Sequence, residues 1–243
     1  MGEMMGESRH AAWQARLEKG VGPLLYNAGM NPTPSKSCPL PISPRLTRIV
    51  LASNNSGKLR EFSALFAPLG IELVAQGDLG VPEAPEPHVT FLENALAKAR
   101  HASALTGLPA LADDSGLCVS ALNDAPGVLS ARYAQTHGGE KSDAANNAML
   151  VEHLRGHSDR AARYVALLVL VRQAEDPQPI VGEGVWHGEL LDTPRGNNGF
   201  GYDAHFLLPG LGKTAAELAP DEKNAISHRA LALRQILARL TRA

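Results

Sequence analysis

The sequence has few of the features that mark secreted proteins, membrane proteins or proteins stabilised by a structural metal ion. Its only cysteines are Cys38 and Cys118, which form no CxxC pair and have no cluster of further ligands, so neither a disulfide framework nor a zinc site is expected. Free thiols suit a reducing compartment, and we therefore expect a cytoplasmic protein. No apolar run approaches the roughly 18 to 20 residues of a membrane helix, so we expect no membrane partner.

The charge balance lacks a positive surplus. The chain of 243 residues has 23 Lys and Arg against 25 Asp and Glu, which gives a net charge of -2. Proteins that hold nucleic acid polymers usually carry excess positive charge that releases counterions. A nucleic acid polymer is therefore excluded as a partner, whereas a small anion held by a few placed cations is not.

Proline divides the chain into two parts. Residues 1–45 contain Pro32, Pro34, Pro39, Pro41 and Pro44 close together, and such a stretch sustains neither a helix nor a central strand. We expect a flexible, Pro-rich N-terminal extension over 1–45. The domain is expected over 46–243, where strand and helix patterns begin.

Within residues 46–243 the hydrophobic period switches repeatedly between strand and helix. The pattern predicts strands at 49–52, 71–75, 108–112, 117–122, 163–171 and 180–190, and helices after residue 58, from 90, over 143–154 and over 224–240. Thr90 and Glu93 form a capping box that opens the helix from 90, and its expected apolar face comprises Leu92, Ala95, Leu96, Ala99 and Ala102. The expected buried stripe of the last helix comprises Leu231, Leu233, Ile236, Leu237 and Leu240. The strand at 163–171 is apolar on both faces, so it should be central, with 180–190 as its antiparallel neighbour. This alternation predicts a single α/β domain with a mixed sheet.

The first candidate for chemistry is the loop between the first strand and helix. It reads Ser53, Asn54, Asn55, Ser56, Gly57 and Lys58. Unpaired amides at a helix N-terminus favour an anion, and Lys58 adds a formal charge, so the loop could hold phosphate. It is not a Walker A loop, because Ala52 replaces the early Gly and Leu59 follows the Lys. A polar turn with an exposed lysine is the alternative.

The second candidate is an acidic pair, Asp113 and Asp114, at the predicted end of the strand over 108–112. Carboxylates can bind Mg²⁺, and one can deprotonate a water. A turn in which Asp113 and Ser115 satisfy backbone amides is the alternative.

The third candidate combines two short strings. GFGYD supplies Phe200 and Tyr202 as rings for a nucleobase and Asp203 as an acceptor, and SHRA supplies His228 and Arg229 as donors to a base carbonyl. Packing at a bend and a solvated helix face are the alternatives.

Together, these segments resemble the inosine triphosphate pyrophosphatase family, the dITP/XTP pyrophosphatases, across residues 48–240. The matching strings are IVLASNNSGKLREF, TFLENALAKARHA, LADDSGL, PGVLSARYA, GFGYDAHF, GKTAAEL and EKNAISHRALAL. The resemblance implies an elongated mixed β-sheet flanked by helices, with two lobes and a nucleotide cleft between them. It also implies a homodimer.

The implied activity is Mg²⁺-dependent hydrolysis of deaminated purine nucleoside triphosphates (ITP, dITP and XTP) to the monophosphate and pyrophosphate. Asp114 matches the general base and a metal ligand, and Glu86 matches the second metal ligand, with Glu83 as its rival. Asp113 supports the site from beside it. The residues that match substrate contacts are Ser53, Asn54, Asn55, Ser56, Gly57, Lys58, Ser115, Phe200, Gly201, Tyr202, Asp203, Lys223, His228 and Arg229. Lys98 and Arg132 lie in matching segments and would complete the cationic lining.

Base selectivity follows from hydrogen-bond polarity. Donors from His228 and Arg229 would satisfy a 6-oxo group. The 6-amino group of adenine is itself a donor, so it would leave the donors of the protein unpaired. Two alternatives stay open: a pyrophosphatase of the septum-formation-inhibitor type that acts on modified pyrimidine nucleotides, and a nucleotide sensor without hydrolysis.

Overall fold

The computed structural model describes residues 46–240, so the predicted extension over 1–45 lies outside the described residues. The strands are β1 Arg48–Leu51, β2 Glu72–Ala75, β3 Ala110–Val119, β4 Ala161–Val171, β5 Ile180–Leu190, β6 Phe206–Leu208 and β7 Lys213–Thr214. The helices are α1 Ser56–Phe66, α2 Phe91–Thr106, α3 Tyr133–Thr136, α4 Asp143–His153, α5 Pro220–Ile226 and α6 His228–Leu240. A 3-10 segment, Gly127–Arg132, precedes α3.

The seven strands form one mixed sheet in the order β2-β1-β3-β4-β5-β6-β7. β1 pairs in parallel with β2 and β3, and every other pairing is antiparallel. The apolar strand β4 lies in the middle and β5 is its antiparallel neighbour. The predicted mixed α/β sheet, its central strand and that strand's neighbour are therefore confirmed.

The two faces of β3 pack against different helices. Leu111 belongs to a buried cluster with Phe62 of α1 and Ile236 of α6, whereas Ala110 and Ala112 pack with alanines of α2. Successive side chains of a strand point to opposite faces, so odd and even positions of β3 meet different layers. A third cluster, which includes Leu117, lies further along the sheet.

The predicted end of the third strand at Ala112 is wrong, because β3 continues without a break to Val119. Each residue from Ala110 to Val119 has a partner on β4, and this long antiparallel ladder holds the polar residues in the strand. The acidic pair therefore lies in the middle of a strand, and the alternative of an isolated turn at Asp113 is also wrong.

The predicted helix over 224–240 is two helices, which are separated at Ser227. Ser227 has extended backbone dihedrals (φ -67°, ψ 164°), and its hydroxyl accepts a hydrogen bond from Ala230 N at 3.3 Å. A serine that caps a helix in this way starts a new helix. Of the predicted apolar stripe, Leu233 and Ile236 are buried; Leu231, Leu237 and Leu240 are only partly buried.

Helix α2 begins as the sequence predicts. The Thr90 hydroxyl accepts from Glu93 N at 3.2 Å and caps the helix, and Ala95, Ala99 and Ala102 are buried on one face. Leu92, in the first turn, is expected on that face but is 44% exposed. Among the described helices, none is long and apolar enough to cross a membrane.

Candidate active site

The site is built around an open edge of β3. β1 pairs with β3 through Val50 and Leu51, opposite Ala110 and Leu111, and among the described strands none pairs with this edge at Asp113 and Asp114. Lys58 Nζ and Lys98 Nζ donate to the free carbonyl of Asp113, at 3.2 and 3.0 Å. Two ammonium groups from α1 and α2 therefore meet where β1 ends.

The two aspartates point to opposite faces of the sheet. The Asp113 carboxylate meets Lys58 Nζ at 3.1 Å and Arg229 Nε at 2.9 Å. The Asp114 carboxylate meets Lys98 Nζ at 2.7 Å on the α2 side. The expectation that adjacent acids form one loop is therefore corrected: strand alternation separates their carboxylates, and the lysines connect them around the edge.

The pKa values of the two acids shift in opposite directions. Burial raises the pKa of Asp113, but the charges of Lys58 and Arg229 outweigh it and hold that pKa well below its ordinary value. Burial raises the pKa of Asp114 above its ordinary value, although Lys98 opposes the shift. Asp113 is thus a fixed anion, whereas Asp114 holds a proton more readily, which suits a general base.

Glu86 and Asp114 converge on the same ammonium group. Lys98 Nζ lies 3.0 Å from Glu86 Oε1 and 2.7 Å from Asp114 Oδ1, and Arg132 Nη1 lies 2.6 Å from Glu86 Oε2. The structure therefore brings Lys98 and Arg132 together at Glu86. The rival Glu83 instead accepts from Asn54 Nδ2 at 3.3 Å, beside the loop over 53–58.

This donor set fits a magnesium ion. Across residues 46–240, no three His, Cys, Asp or Glu side chains are grouped so that they could hold a metal ion. Mg²⁺ is usually bound by one or two carboxylates together with waters and substrate phosphates, not by an all-protein cage. The carboxylates of Asp114 and Glu86, which share Lys98 Nζ, are oxygen donors of this kind.

The loop over 53–58 is ordered by its own side chains. Asn55 caps α1, because its Oδ1 accepts from Lys58 N at 3.0 Å. The Ser53 hydroxyl accepts from Asn55 N at 3.2 Å. The Lys58 side chain is only 15% exposed, so the alternative of an exposed lysine is wrong, and burial lowers the pKa of Lys58 despite the nearby Asp113.

Gly57 is required by the approach of an aromatic ring. A Cβ added to Gly57 would lie 2.7 Å from Phe200 Cδ1, which is too close for any other residue without movement. The half-buried Phe200 ring lies 5.1 Å from both Lys223 Nζ and Arg229 Cζ. The predicted phosphate loop and the predicted base pocket therefore touch at this ring.

A chain of buried charges includes Glu61, which sequence reasoning missed. Glu61 Oε2 accepts from Arg229 Nη1 at 2.9 Å, and Glu61 Oε1 accepts from Lys223 Nζ at 2.8 Å. Lys223 Nζ also donates to Asp203 Oδ2 at 2.7 Å. Glu61 lies three residues after Lys58 on α1, so the helical period alone would have placed it on the same face.

A second missed residue is Asn94. It is buried in α2, and its Nδ2 donates to Asp114 Oδ2 at 3.4 Å and to His88 O at 3.1 Å. Asn94 thereby ties the segment that carries Glu86 to the strand that carries Asp114. The capping motif identified the start of the helix but gave no sign of this contact.

The predicted base-reading residues have different surroundings. His228 is 1% exposed, stacks on Tyr164 at a centroid distance of 4.7 Å, and neither ring nitrogen has a hydrogen-bond partner among the described residues. Burial, with Arg229 nearby, holds the pKa of His228 well below its ordinary value. The alternative of a solvated helix face is therefore wrong.

Tyr202 differs from its neighbour Phe200. It is 4% exposed and packs in the third core cluster, and its hydroxyl donates to Ser130 O at 2.8 Å. Its ring therefore belongs to the core and is not open to a base. Ser115 lies on the Asp113 face, where its hydroxyl accepts from Arg229 Nη2 at 2.8 Å.

Comparison with known proteins places the whole described region in one family. The sequence model of the Ham1 family matches residues 49–239. A protein named dITP/XTP pyrophosphatase from Ralstonia nicotianae is 70% identical over 195 residues, which is 80% of this chain and 97% of that protein. A protein of the same name from Chromobacterium violaceum is 62% identical over 193 residues, which is 79% of this chain and 96% of that protein.

Solved structures agree with the sequence comparison. A HAM1 protein from Coxiella burnetii is 50% identical with a TM-score of 0.73, over 81% of this chain and 99% of that chain. A nucleoside-triphosphatase / dITP/XTP pyrophosphatase from Mycobacterium abscessus is 45% identical with a TM-score of 0.62, over 79% and 99% of the two chains. The family predicted from the motifs is confirmed, and this chain belongs to the Ham1 family.

Proposed function

We propose that this chain hydrolyses deaminated purine nucleoside triphosphates (ITP, dITP and XTP) to the nucleoside monophosphate and pyrophosphate. Relatives named dITP/XTP pyrophosphatase at 61–70% identity support this activity. The observation that carries it is the arrangement of Asp114, Lys58 and Lys98 around the open edge of β3. A carboxylate with a raised pKa beside two ammonium groups suits the attack of water on a polyanion.

The triphosphate is assigned to the loop over 53–58 and the lysines beside it. The N-terminus of α1 presents amides and the positive end of its dipole to an anion. Lys58 adds charge at that position, and the side chains of Ser53 and Asn54 provide further polar groups. We also propose that Lys98 and Arg132 complete the cationic lining.

Mg²⁺ is the proposed cofactor, with Asp114 and Glu86 as its protein ligands. When bound, a divalent cation supplies positive charge that neutralises phosphate oxygens and polarises a water molecule. The proposed ligands are carboxylates that both contact Lys98 Nζ. Without added positive charge, the acids of the site would repel the substrate.

Asp114 is the proposed general base for attack at the α-phosphorus. It takes a proton from the attacking water, while Lys58 offsets the negative charge that develops on the departing pyrophosphate. Phosphoryl transfer depends mainly on placement and electrostatic stabilisation, because the protein contributes little covalent chemistry. Asp113 stays ionised and holds Lys58 and Arg229 in place.

The base is assigned to Phe200, His228 and Arg229. A purine ring stacks on Phe200, and donors of His228 and Arg229 satisfy its 6-oxo group. Adenine would leave these buried donors facing an amino group, which costs free energy. Lys223 and Asp203 complete this pocket through their own ion pair, Gly201 contributes backbone to it, and Tyr202 supports it from the core.

A panel of triphosphates tests the reaction and the choice of base. We expect pyrophosphate release from ITP, dITP and XTP with Mg²⁺, and little from ATP, dTTP or UTP. Preference for dTTP or UTP would support the pyrimidine-directed alternative. Binding of ITP without pyrophosphate release, with or without Mg²⁺, would support the non-catalytic sensor and end the proposal.

A matched pair of variants tests the second metal ligand. Glu86→Gln should raise the Mg²⁺ concentration needed for half-maximal rate by about tenfold or more, the usual effect of disturbing a metal site. Glu83 lies three residues away and accepts a hydrogen bond from Asn54, so Glu83→Gln should leave the Mg²⁺ requirement near that of the wild type. The reverse pattern would transfer the ligand role to Glu83.

The homodimer and the cytoplasmic location stay predictions from the family resemblance and the scarcity of cysteine. Light scattering on the purified protein measures the first. A mass of one chain at micromolar concentration would contradict the dimer.

A further inference from the structure

The loop over 199–203 carries the proposed stacking ring and is fixed from inside by its own residues. Gly199 and Gly201 have positive φ of 77° and 64°, a conformation that favours glycine. Phe200 N donates to Asp203 Oδ2 at 2.9 Å. These features shape the loop but leave the peptide groups of Gly201 to be held by other residues.

Helix α4 holds both polar atoms of Gly201. Gly201 N donates to Asp143 Oδ2 at 2.7 Å, and Asn147 Nδ2 donates to Gly201 O at 2.9 Å. Residues four apart lie on the same face of a helix, so one turn of α4 presents an acceptor and a donor together. The position of Asp143 is set in turn by Ser142, whose hydroxyl caps α4 by accepting from Ala145 N at 3.1 Å.

The Asn147 side chain donates to Gly201 O with one end and, among residues 46–240, has an unsatisfied oxygen at the other. Its Oδ1 is buried and has no hydrogen-bond partner within the described part of the chain. An unsatisfied buried amide oxygen is unfavourable, and such atoms in a native structure call for a reason. Holding Gly201 O gives that reason, because only the Nδ2 end of the side chain can donate to a carbonyl.

The Gly201 peptide is covalently next to Phe200, whose ring has little room. The ring lies against Gly57 and is 5.1 Å from Lys223 Nζ and from Arg229 Cζ. A rotation of the neighbouring peptide would therefore turn the ring away from the phosphate loop and the two cations.

From this geometry we propose that Asp143 and Asn147 are positioning residues, which set the Phe200 ring for stacking on the substrate base. The inference rests on the proposed function and extends it to a helix that no predicted site residue occupies. The two side chains act only through Gly201 and Phe200. They bind neither phosphate nor metal in this account.

Steady-state kinetics of single variants make the first test. Asp143→Ala and Asn147→Ala should each raise KM for ITP by about 3- to 10-fold, the range for one lost hydrogen bond. The kcat should stay within about twofold of the wild type, because stacking on Phe200 stabilises the bound substrate and the transition state equally. Asp143→Asn keeps an acceptor oxygen and should restore most of the affinity. Glu152→Ala is the matched control, because Glu152 lies on the same helix and forms an exposed ion pair with Arg155.

A double-mutant cycle with Phe200→Ala separates positioning from general damage. If the two residues act through the ring, Asp143→Ala should have almost no effect on KM in the Phe200→Ala background. The same KM increase in both backgrounds would overturn the proposal. So would wild-type KM in both single variants.

Failure of the proposed function and failure of this inference give different results. A wild-type protein that releases no pyrophosphate from ITP would contradict the proposed function itself. Asp143 is exposed, so its variants are expected to fold, and equal unfolding midpoints check this. Should Asn147→Ala not fold, the Asp143 series decides alone.

Discussion

At the scale of single residues, the site keeps polar groups in unfavourable surroundings. Within residues 46–240, His228 has two buried ring nitrogens without hydrogen-bond partners, and its neighbour Arg229 donates to Asp113, Glu61 and Ser115. An apolar ring in this stack of aromatic rings would leave no buried polar atom unpaired, so the imidazole is not there for stability. We interpret it as a group that reads the base.

His228→Phe should separate stability from selectivity. The variant keeps an aromatic ring on Tyr164 and removes both unpaired nitrogens, so the free energy of unfolding should rise by about 1 kcal/mol. Its kcat/KM for ITP should fall by about tenfold, while that for ATP should change little. Denaturant unfolding and the two rates measure this, and a less stable variant with an intact ITP preference would contradict the role of His228.

At the scale of elements, the turn between β4 and β5 is held together by the side chain of one aspartate, Asp176. The Asp176 carboxylate is buried and accepts from Arg172 N and Nε, at 3.0 and 2.8 Å, and from Gln178 N at 2.9 Å. Hydrogen bonds from Arg172 hold the pKa of Asp176 well below its ordinary value. Because β4 and β5 form the centre of the sheet, this turn contributes to the stability of the whole ladder.

Asp176→Asn should therefore cost stability in a pH-dependent way. A carboxylate with a lowered folded-state pKa stabilises fully above its unfolded-state pKa of about 3.9 and loses that contribution as the pH falls toward the folded-state value. We expect a loss of about 1 to 3 kcal/mol in unfolding free energy at pH 7, and a smaller difference from the wild type at pH 3.

Glu175→Gln is the control for this prediction, since Glu175 precedes Asp176 and is exposed. It should leave unfolding at pH 7 unchanged. A difference between Asp176→Asn and the wild type that stays constant from pH 7 to pH 3 would show that the charge is not responsible.

At the scale of the whole molecule, local patterns predicted the elements better than their junctions. The apolar run of β4 and the cap at Thr90 are properties of neighbouring residues, and both are confirmed. The continuation of β3 past Ala112 depends on its ladder with β4, some 50 residues away along the chain. The break at Ser227 depends on a side chain that ends one helix and caps the next.

The contacts of the site lie beyond local patterns for the same reason. Arg229 meets Asp113 and Glu61, which are 116 and 168 residues away in sequence. The motifs predicted which residues should carry chemistry, since lysines, acids and aromatic rings stand out in polar segments. They could not predict that Asp113 and Asp114 face different layers, because the sequence placed a loop where the sheet places a strand.

Asp114 is the proposed base for attack at the α-phosphorus of the substrate, and hydrolysis of ITP in ¹⁸O-labelled water by the wild type and by Asp114→Asn tests this role directly. We expect label in the inosine monophosphate and none in the pyrophosphate. In the folded variant, turnover should fall by about 10²-fold or more. Label in the pyrophosphate, or an unimpaired variant, would contradict it.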